Sequence, residues 1–223
     1  MQKALKFIVP VVVAVVILGV GGSVYYKQYS ADQKERAARD ALNQSFEDFL
    51  NNFLKNVHAG MVDYKQERKV LVEATGPRNL VDPAYVEENH QLVQTLIPSL
   101  RQRMANVIKT FEDAEPEIAK LVEGQPETVK AGILKKWADL KSTQGQVYIG
   151  YFAAENDILA AYEELMRFYY SKRNEFTVVP ETNALVFKNP KDDDEVKKLQ
   201  QRIKDLYAQQ DELLKQGSSE KQP

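Results

Sequence analysis

The chain has 223 residues, a length that fits one domain with an appendage. Thirty Lys and Arg stand against 32 Asp and Glu, a net charge of −2, so there is no basic excess to neutralise a phosphate backbone and nucleic-acid binding is not expected. Cysteine is absent and histidine occurs twice, which excludes disulfides, thiol nucleophiles, Cys-ligated metals and a lipidated cysteine, and leaves little for His-based catalysis.

Residues 1–6 carry Lys3 and Lys6 and read as a short cytoplasmic tail. In residues 7–26 the only polar side chains are Ser23, Tyr25 and Tyr26. About 20 apolar residues at ~1.5 Å rise cross the ~30 Å hydrocarbon core of a bilayer. Tyr25, Tyr26 and Lys27 stand where an interfacial belt is expected. Two readings compete: a signal peptide cut near Gly19-Val20-Gly21-Gly22-Ser23, and an uncleaved signal anchor. The apolar run continues through Val24 to Tyr26, longer than a usual signal core, so the anchor is preferred. A short basic tail ahead of a first apolar segment acts as an export signal, which puts the N-terminus inside and the rest outside. The expectation is a single-pass protein of the bacterial inner membrane. It would contact the lipid bilayer through residues 7–26 and hold its C-terminal domain in the periplasm. Gly19 and Ser23 form a small-xxx-small pair that fits either anchor packing or an ordinary helix end.

Without residues 1–30, which hold Lys3, Lys6 and Lys27, the chain carries 27 basic and 32 acidic groups, long enough for one core. Ser30-Ala31-Asp32-Gln33 reads as a capping box. Leu42, Phe46, Phe49, Leu50, Phe53, Leu54, Val57 and Met61 make one apolar helical stripe over about 31–63. The helix is free to continue through Val70-Leu71-Val72, and Thr75-Gly76-Pro77 stops it. Asp82-Pro83 starts a second helix with the stripe Leu92, Val93, Leu96, Ile97, Leu100, Met104, Val107, Ile108 and Phe111. Pro98 is expected to kink it, and Pro116 to restart a short helix that ends near Gly124. Pro126 opens a third helix over about 127–172, ~70 Å long at ~1.5 Å per residue. Its seam reads Trp137, Leu140, Gln144, Val147, Tyr151, Glu155, Ile158, Tyr162, Leu165 and Tyr169. The two successive fours at 147, 151 and 155 are irregular. Phe176-Thr177-Val178-Val179 and Ala184-Leu185-Val186-Phe187 flank a four-residue turn and predict a hairpin over about 176–187. Asp192, Asp193, Asp194 and Glu195 sit at the positive end of a last helix to about 215, with the stripe Val196, Leu199, Ile203, Leu206 and Leu213. Residues 216–223 read as a disordered tail. The fold class is therefore mainly all-α: a transmembrane helix, then an elongated antiparallel helical bundle over 30–215 with one short β-hairpin.

The C-terminal third has a Tyr-rich helix end (Phe168-Tyr169-Tyr170), then Phe176-Thr177-Val178, Asn183-Ala184-Leu185-Val186-Phe187 and an acidic-capped helix. That order, over about 50 residues, resembles the closing segment of a family of small bacterial envelope lipoproteins of unknown function. The chain lacks the lipoprotein cysteine. The resemblance implies an envelope location and no activity.

No catalytic, cofactor-binding or metal-ligating set emerges. His58 and His90 have no Glu or His at zinc-helix spacing. His58 reads as a packed or boundary residue, and His90 as an ion-pair partner of Glu87. The acidic run lacks the alternating ligands of a calcium loop. Ser142, Thr143 and Ser171 have no G-x-S-x-G elbow, and no phosphate-cradling glycine motif occurs. Gly145 and Gly150 read as close helix contacts or a local kink. Residues 148–176 hold eight of the 21 aromatic residues. Tyr169 and Tyr170 are adjacent and cannot share one stripe, so one of them points outward or under the hairpin; the cluster reads first as core, and the alternative is a partner surface on which Tyr170 is exposed. Tyr170, with Arg167, Lys172 and Arg173, is the candidate partner-binding surface. Glu155 in the seam requires a basic or hydrogen-bonding partner from another helix, or a cavity. The reading that follows is a non-enzymatic scaffold or accessory component of the cell envelope. It would work through an envelope protein partner or self-association, without a cofactor. The alternative is a ligand-sensing helical module that signals through a membrane partner.

Overall fold

The computed structural model describes residues 33–219. The anchor expected over 7–26, the tail at 1–6 and Ser30 of the capping box lie outside that range. Among the described residues, no helix is long and apolar enough to cross a membrane.

The chain is mostly helical. Helix α1 is Gln33–Ala74, α2 is Pro83–Leu121, α3 is Glu127–Leu140, α4 is Gln146–Ser171 and α5 is Pro190–Ser219. A π-helical turn, Lys141–Gly145, joins α3 to α4 without a break, and a 3-10 turn, Pro77–Asn79, follows α1. Strands β1, Phe176–Val179, and β2, Ala184–Phe187, pair antiparallel from Phe176 opposite Phe187 to Val179 opposite Ala184. The hairpin turn ends on Asn183 at φ 53°, a left-handed conformation that Asn tolerates. Asp82 caps α2 by accepting the Ala84 N–H at 2.7 Å, and Asn189 does the same for Lys191 at 3.1 Å on α5.

Three boundaries differ from expectation. Helix α2 holds Pro98 in its interior, as expected, but runs on through Pro116, where a new helix was expected to start. Each proline is on the exposed face, where the carbonyl that loses its partner meets water. The α2 helix then ends at Leu121, and Gly124 takes φ +74° in the turn that follows. Helix α5 continues past 215 to Ser219, because a glycine such as Gly217 costs only about 1 kcal/mol against alanine in a helix. Residues 220–223 are outside the described range.

The chain divides into two units, one formed by residues up to Gly60 with Val107–Gln146, the other by Met61–Asn106 with the residues from Val147 onward. In the first unit α1 and α2 run antiparallel. Phe53 meets Phe111 edge-on at 4.9 Å, and Trp137 of α3 packs edge-on against Phe53 at 5.1 Å and Phe49 at 5.9 Å. At Gly60 an added Cβ would lie 2.9 Å from a Val107 methyl, so a larger residue there would have to displace that side chain.

The second unit is a four-helix bundle closed by the hairpin. Arg103 of α2 bonds Glu67 of α1, Arg101 bonds Asn156 of α4 at 2.9 Å, and His90 reaches Tyr170. These contacts set α2 antiparallel to both α1 and α4. The hairpin covers the end of α4 through Phe168–Phe187 and Tyr169–Phe176 ring contacts, each at 6.0 Å. A two-stranded sheet has no stability of its own and needs this support.

Several stripe residues are not in the core. Leu92 and Leu213 are exposed, and Leu206 is half-buried. In α4, Val147 and Tyr151 are only half-buried, while Gly145 and Phe152 are buried in their place. The π turn is the reason: its i→i+5 closure takes one residue more than an α turn, so the inward face moves one position along the chain.

Candidate functional site

The polar residue expected to need a partner has three. Glu155 is 2 % exposed, on α4 within the second unit. Its Oε1 accepts from the Tyr64 hydroxyl at 2.6 Å and from Arg68 Nε, both on α1, and its Oε2 accepts from Gln210 Nε2 of α5 at 2.8 Å. Arg68 also donates from Nη2 to the Tyr207 hydroxyl. Its guanidinium carbon lies 4.9 Å from the Tyr162 ring centre and 5.5 Å from that of Tyr207. Arg68 Nη1 is buried without a hydrogen-bond partner.

These positions arise from the same periodicity that builds the core. Val57, Met61, Tyr64, Arg68 and Leu71 all lie on the buried stripe of α1, and Val196, Leu199, Ile203 and Gln210 on that of α5. Each of the three helices thus places one charged or amide side chain where an apolar one is the default. A buried carboxylate and guanidinium compensate each other only if the remaining hydrogen-bond positions are filled. Here both carboxylate oxygens are filled.

The electrostatics keep the hydroxyls protonated. Burial pushes the Tyr64 phenol far above its ordinary range, and the negative Glu155 adds to the shift. Burial also raises Tyr151, with Glu155 contributing, and raises Tyr207 against the opposing effect of Arg68. For Arg68 burial alone would lower the pKa, and Glu155 and Tyr207 more than offset it, so the cation is held.

Beside this cluster, in the same unit, lies an open groove of about 270 Å³. It is lined by Val72 and Thr75 of α1, by Tyr162, Leu165 and Tyr169 of α4, and by Gln200, Ile203, Lys204 and Tyr207 of α5. Gln200 Nε2 donates to the Tyr169 hydroxyl at 3.2 Å, and the Tyr162 and Tyr207 hydroxyls are 3.4 Å apart. Burial raises Tyr169 to about 12, partly opposed by the Gln200 bond.

The four residues expected on a partner surface are brought near one another but are engaged internally. Tyr170 is half-buried, not exposed. Its ring stacks on His90 at 4.2 Å and 8°, and the Arg173 guanidinium lies 4.4 Å from its centre. Arg173, half-buried as well, donates to the Tyr170 carbonyl at 3.0 Å. Lys172 pairs with Glu175 at 3.3 Å and Asp192 at 3.2 Å. Only Arg167 is fully exposed, and it pairs with Glu163 at 3.4 Å. His90 therefore belongs to a stack and not to an ion pair with Glu87, while His58 is exposed, its position falling one residue past the buried Val57. Tyr169 turns inward beneath the hairpin.

Sequence reasoning located Glu155 but not its partners. The available signal was polar residues at stripe positions: Arg68 is four after Tyr64, and Gln210 is seven after Ile203. Among the described residues, no group of three or more His, Asp or Glu is placed to hold a metal ion. Comparison with protein-family models, with curated proteins and with solved structures gives no match.

Proposed function

We propose that the protein is a single-pass, membrane-anchored component of the bacterial cell envelope whose periplasmic helical bundle acts by binding a partner, not by catalysis. The observation that carries this reading is the apolar run of residues 7–26, in which Ser23 and the two terminal tyrosines are the only polar side chains, preceded by Lys3 and Lys6 and followed by a long helical chain. The resemblance of the C-terminal third to envelope lipoproteins supports the same location. The polar core, in which both Glu155 oxygens are bonded from two other helices, supports a platform of fixed register, since a buried polar network disfavours slipped packings of the same helices. A second reading, a ligand-sensing module that signals through a membrane partner, draws support from the groove beside that core.

The test is fractionation of the full chain followed by protease treatment of spheroplasts. The proposal expects the protein to stay in the membrane pellet after alkaline carbonate and its C-terminal bulk to be digested. Release by carbonate overturns the anchor, and protection of the bulk overturns the topology.

A further inference from the structure

Hydrogen-bond donors outnumber acceptors in the groove between α1, α4 and α5. Tyr207 accepts from Arg68 and stands 3.4 Å from the Tyr162 hydroxyl, so whichever of the two donates across that contact, one proton of the pair is left to give. Lys204 is exposed on the rim and forms no ion pair among the described residues. No Asp or Glu lines the groove, and Glu155 behind it has both oxygens in use. The buried Arg68 Nη1 adds one more unanswered donor close behind Tyr207. The floor is formed by Leu165, Tyr169 and Ile203, each buried. The groove is shallow and open, and its lining, more apolar than polar with a few polar groups at the rim, has the composition of a small-molecule site.

We propose that this groove binds a small organic carboxylate, its apolar body lying on Leu165 and Ile203 and its anionic end meeting Lys204 and the Tyr207 hydroxyl. The single lysine on the rim matches one negative charge. The volume of about 270 Å³ lies below the range of drug-sized pockets, which limits the ligand to one ring or a short branched chain. The inference rests on the groove alone, so a wrong anchor or topology in the fractionation experiment leaves it standing.

The test is calorimetric titration of the full chain in detergent micelles with 3-phenylpropionate, with 3-phenylpropionamide as the neutral control and empty micelles as the blank. The expected result is saturable binding with a dissociation constant of about 1–10 mM, the range reached by about eleven non-hydrogen atoms on a shallow site. The amide and a Lys204→Met variant should each bind at least about fivefold more weakly, while Lys191→Met, an exposed lysine outside the groove, should match the parent. Circular dichroism checks that both variants fold, which an exposed lysine change should allow. No heat beyond the blank overturns the proposal. Equal binding of acid and amide, or an unchanged constant in Lys204→Met, overturns it as well.

Discussion

Replacing Glu155 with Leu removes the acceptor for three buried donors at once. Tyr64 is 0 % exposed and loses its 2.6 Å bond, Gln210 is 1 % exposed and loses its 2.8 Å bond, and Arg68 keeps a buried charge with the neutral Tyr207 hydroxyl and the Tyr162 and Tyr207 rings in place of a carboxylate. Breaking a buried ion pair from one side costs about 3–5 kcal/mol, because the surviving charge is stranded. At about 2–4 °C per kcal/mol for a chain of this size, the melting temperature should fall by about 6–20 °C. Removing the charge as well, in Arg68→Met/Glu155→Leu, should recover at least about half of that loss, since apolar replacement of both partners is often near neutral. The assay is thermal and urea denaturation of the full chain followed by far-ultraviolet circular dichroism. A single variant that melts within about 2 °C of the parent, or a double variant that melts below the single one, would refute the view that Arg68 and Glu155 depend on each other.

Two further outcomes follow from the Tyr170 stack. Tyr170→Ala gives up ring stacking on His90 and the Arg173 contact, about 1–2 kcal/mol together, whereas Ile158→Ala opens a cavity at a 0 % exposed site and should cost about 2–5 kcal/mol; an unchanged melting temperature for Tyr170→Ala would show the stack to be idle. Burial, then Arg167, lowers the His90 pKa below 6.5, against a smaller opposing effect of Glu87, so the folded state prefers the neutral ring. Its contribution is complete above pH 6.5 and is lost as pH falls through the lower folded value. His90→Asn should therefore lose less stability than the parent between pH 7.5 and 5, and equal losses would remove His90 from the account.

Several local signals could be read in the chain. Thr75-Gly76-Pro77 and Asp82-Pro83 end and begin helices because each acts on its own backbone, and α1 and α2 stop and start there. The hairpin was legible because two β-type runs flank a short turn ending on Asn183. The need of Glu155 for a partner was legible from one position, since it follows from burial alone. Which residues answer it was not, because Tyr64, Arg68 and Gln210 lie 91, 87 and 55 positions away and meet it only through packing. Tyr170 failed for the opposite reason. Leaving its own helix's stripe does not expose a residue when a second helix covers it, as His90 of α2 covers Tyr170.

The phase of the seam shows most clearly where local periodicity misleads. Counting by threes and fours from Leu140 points Gln144, Val147 and Tyr151 inward, yet Gly145 and Phe152 are buried. The irregular 147–151–155 spacing was the trace of the π turn at Lys141–Gly145, read two turns too late. A π turn amounts to one inserted residue, so removing one should restore an ordinary α turn and leave the residues beyond it on the same face. Thr143 is the residue to delete. It is exposed, and its hydroxyl bonds only helix carbonyls, those of Asp139 at 2.8 Å and Leu140 at 3.3 Å. The deletion should shift the melting temperature by less than about 5 °C, equivalent to about 1–2 kcal/mol. Deleting Ala153 instead has no wide turn to absorb it. It rotates α4 beyond that point by about 100° and carries Glu155 away from Tyr64 and Arg68, so that variant should not fold. If the two deletions prove equally damaging, the π turn is not a one-residue insertion in an otherwise regular helix, and the buried face of α4 has to be explained by packing alone.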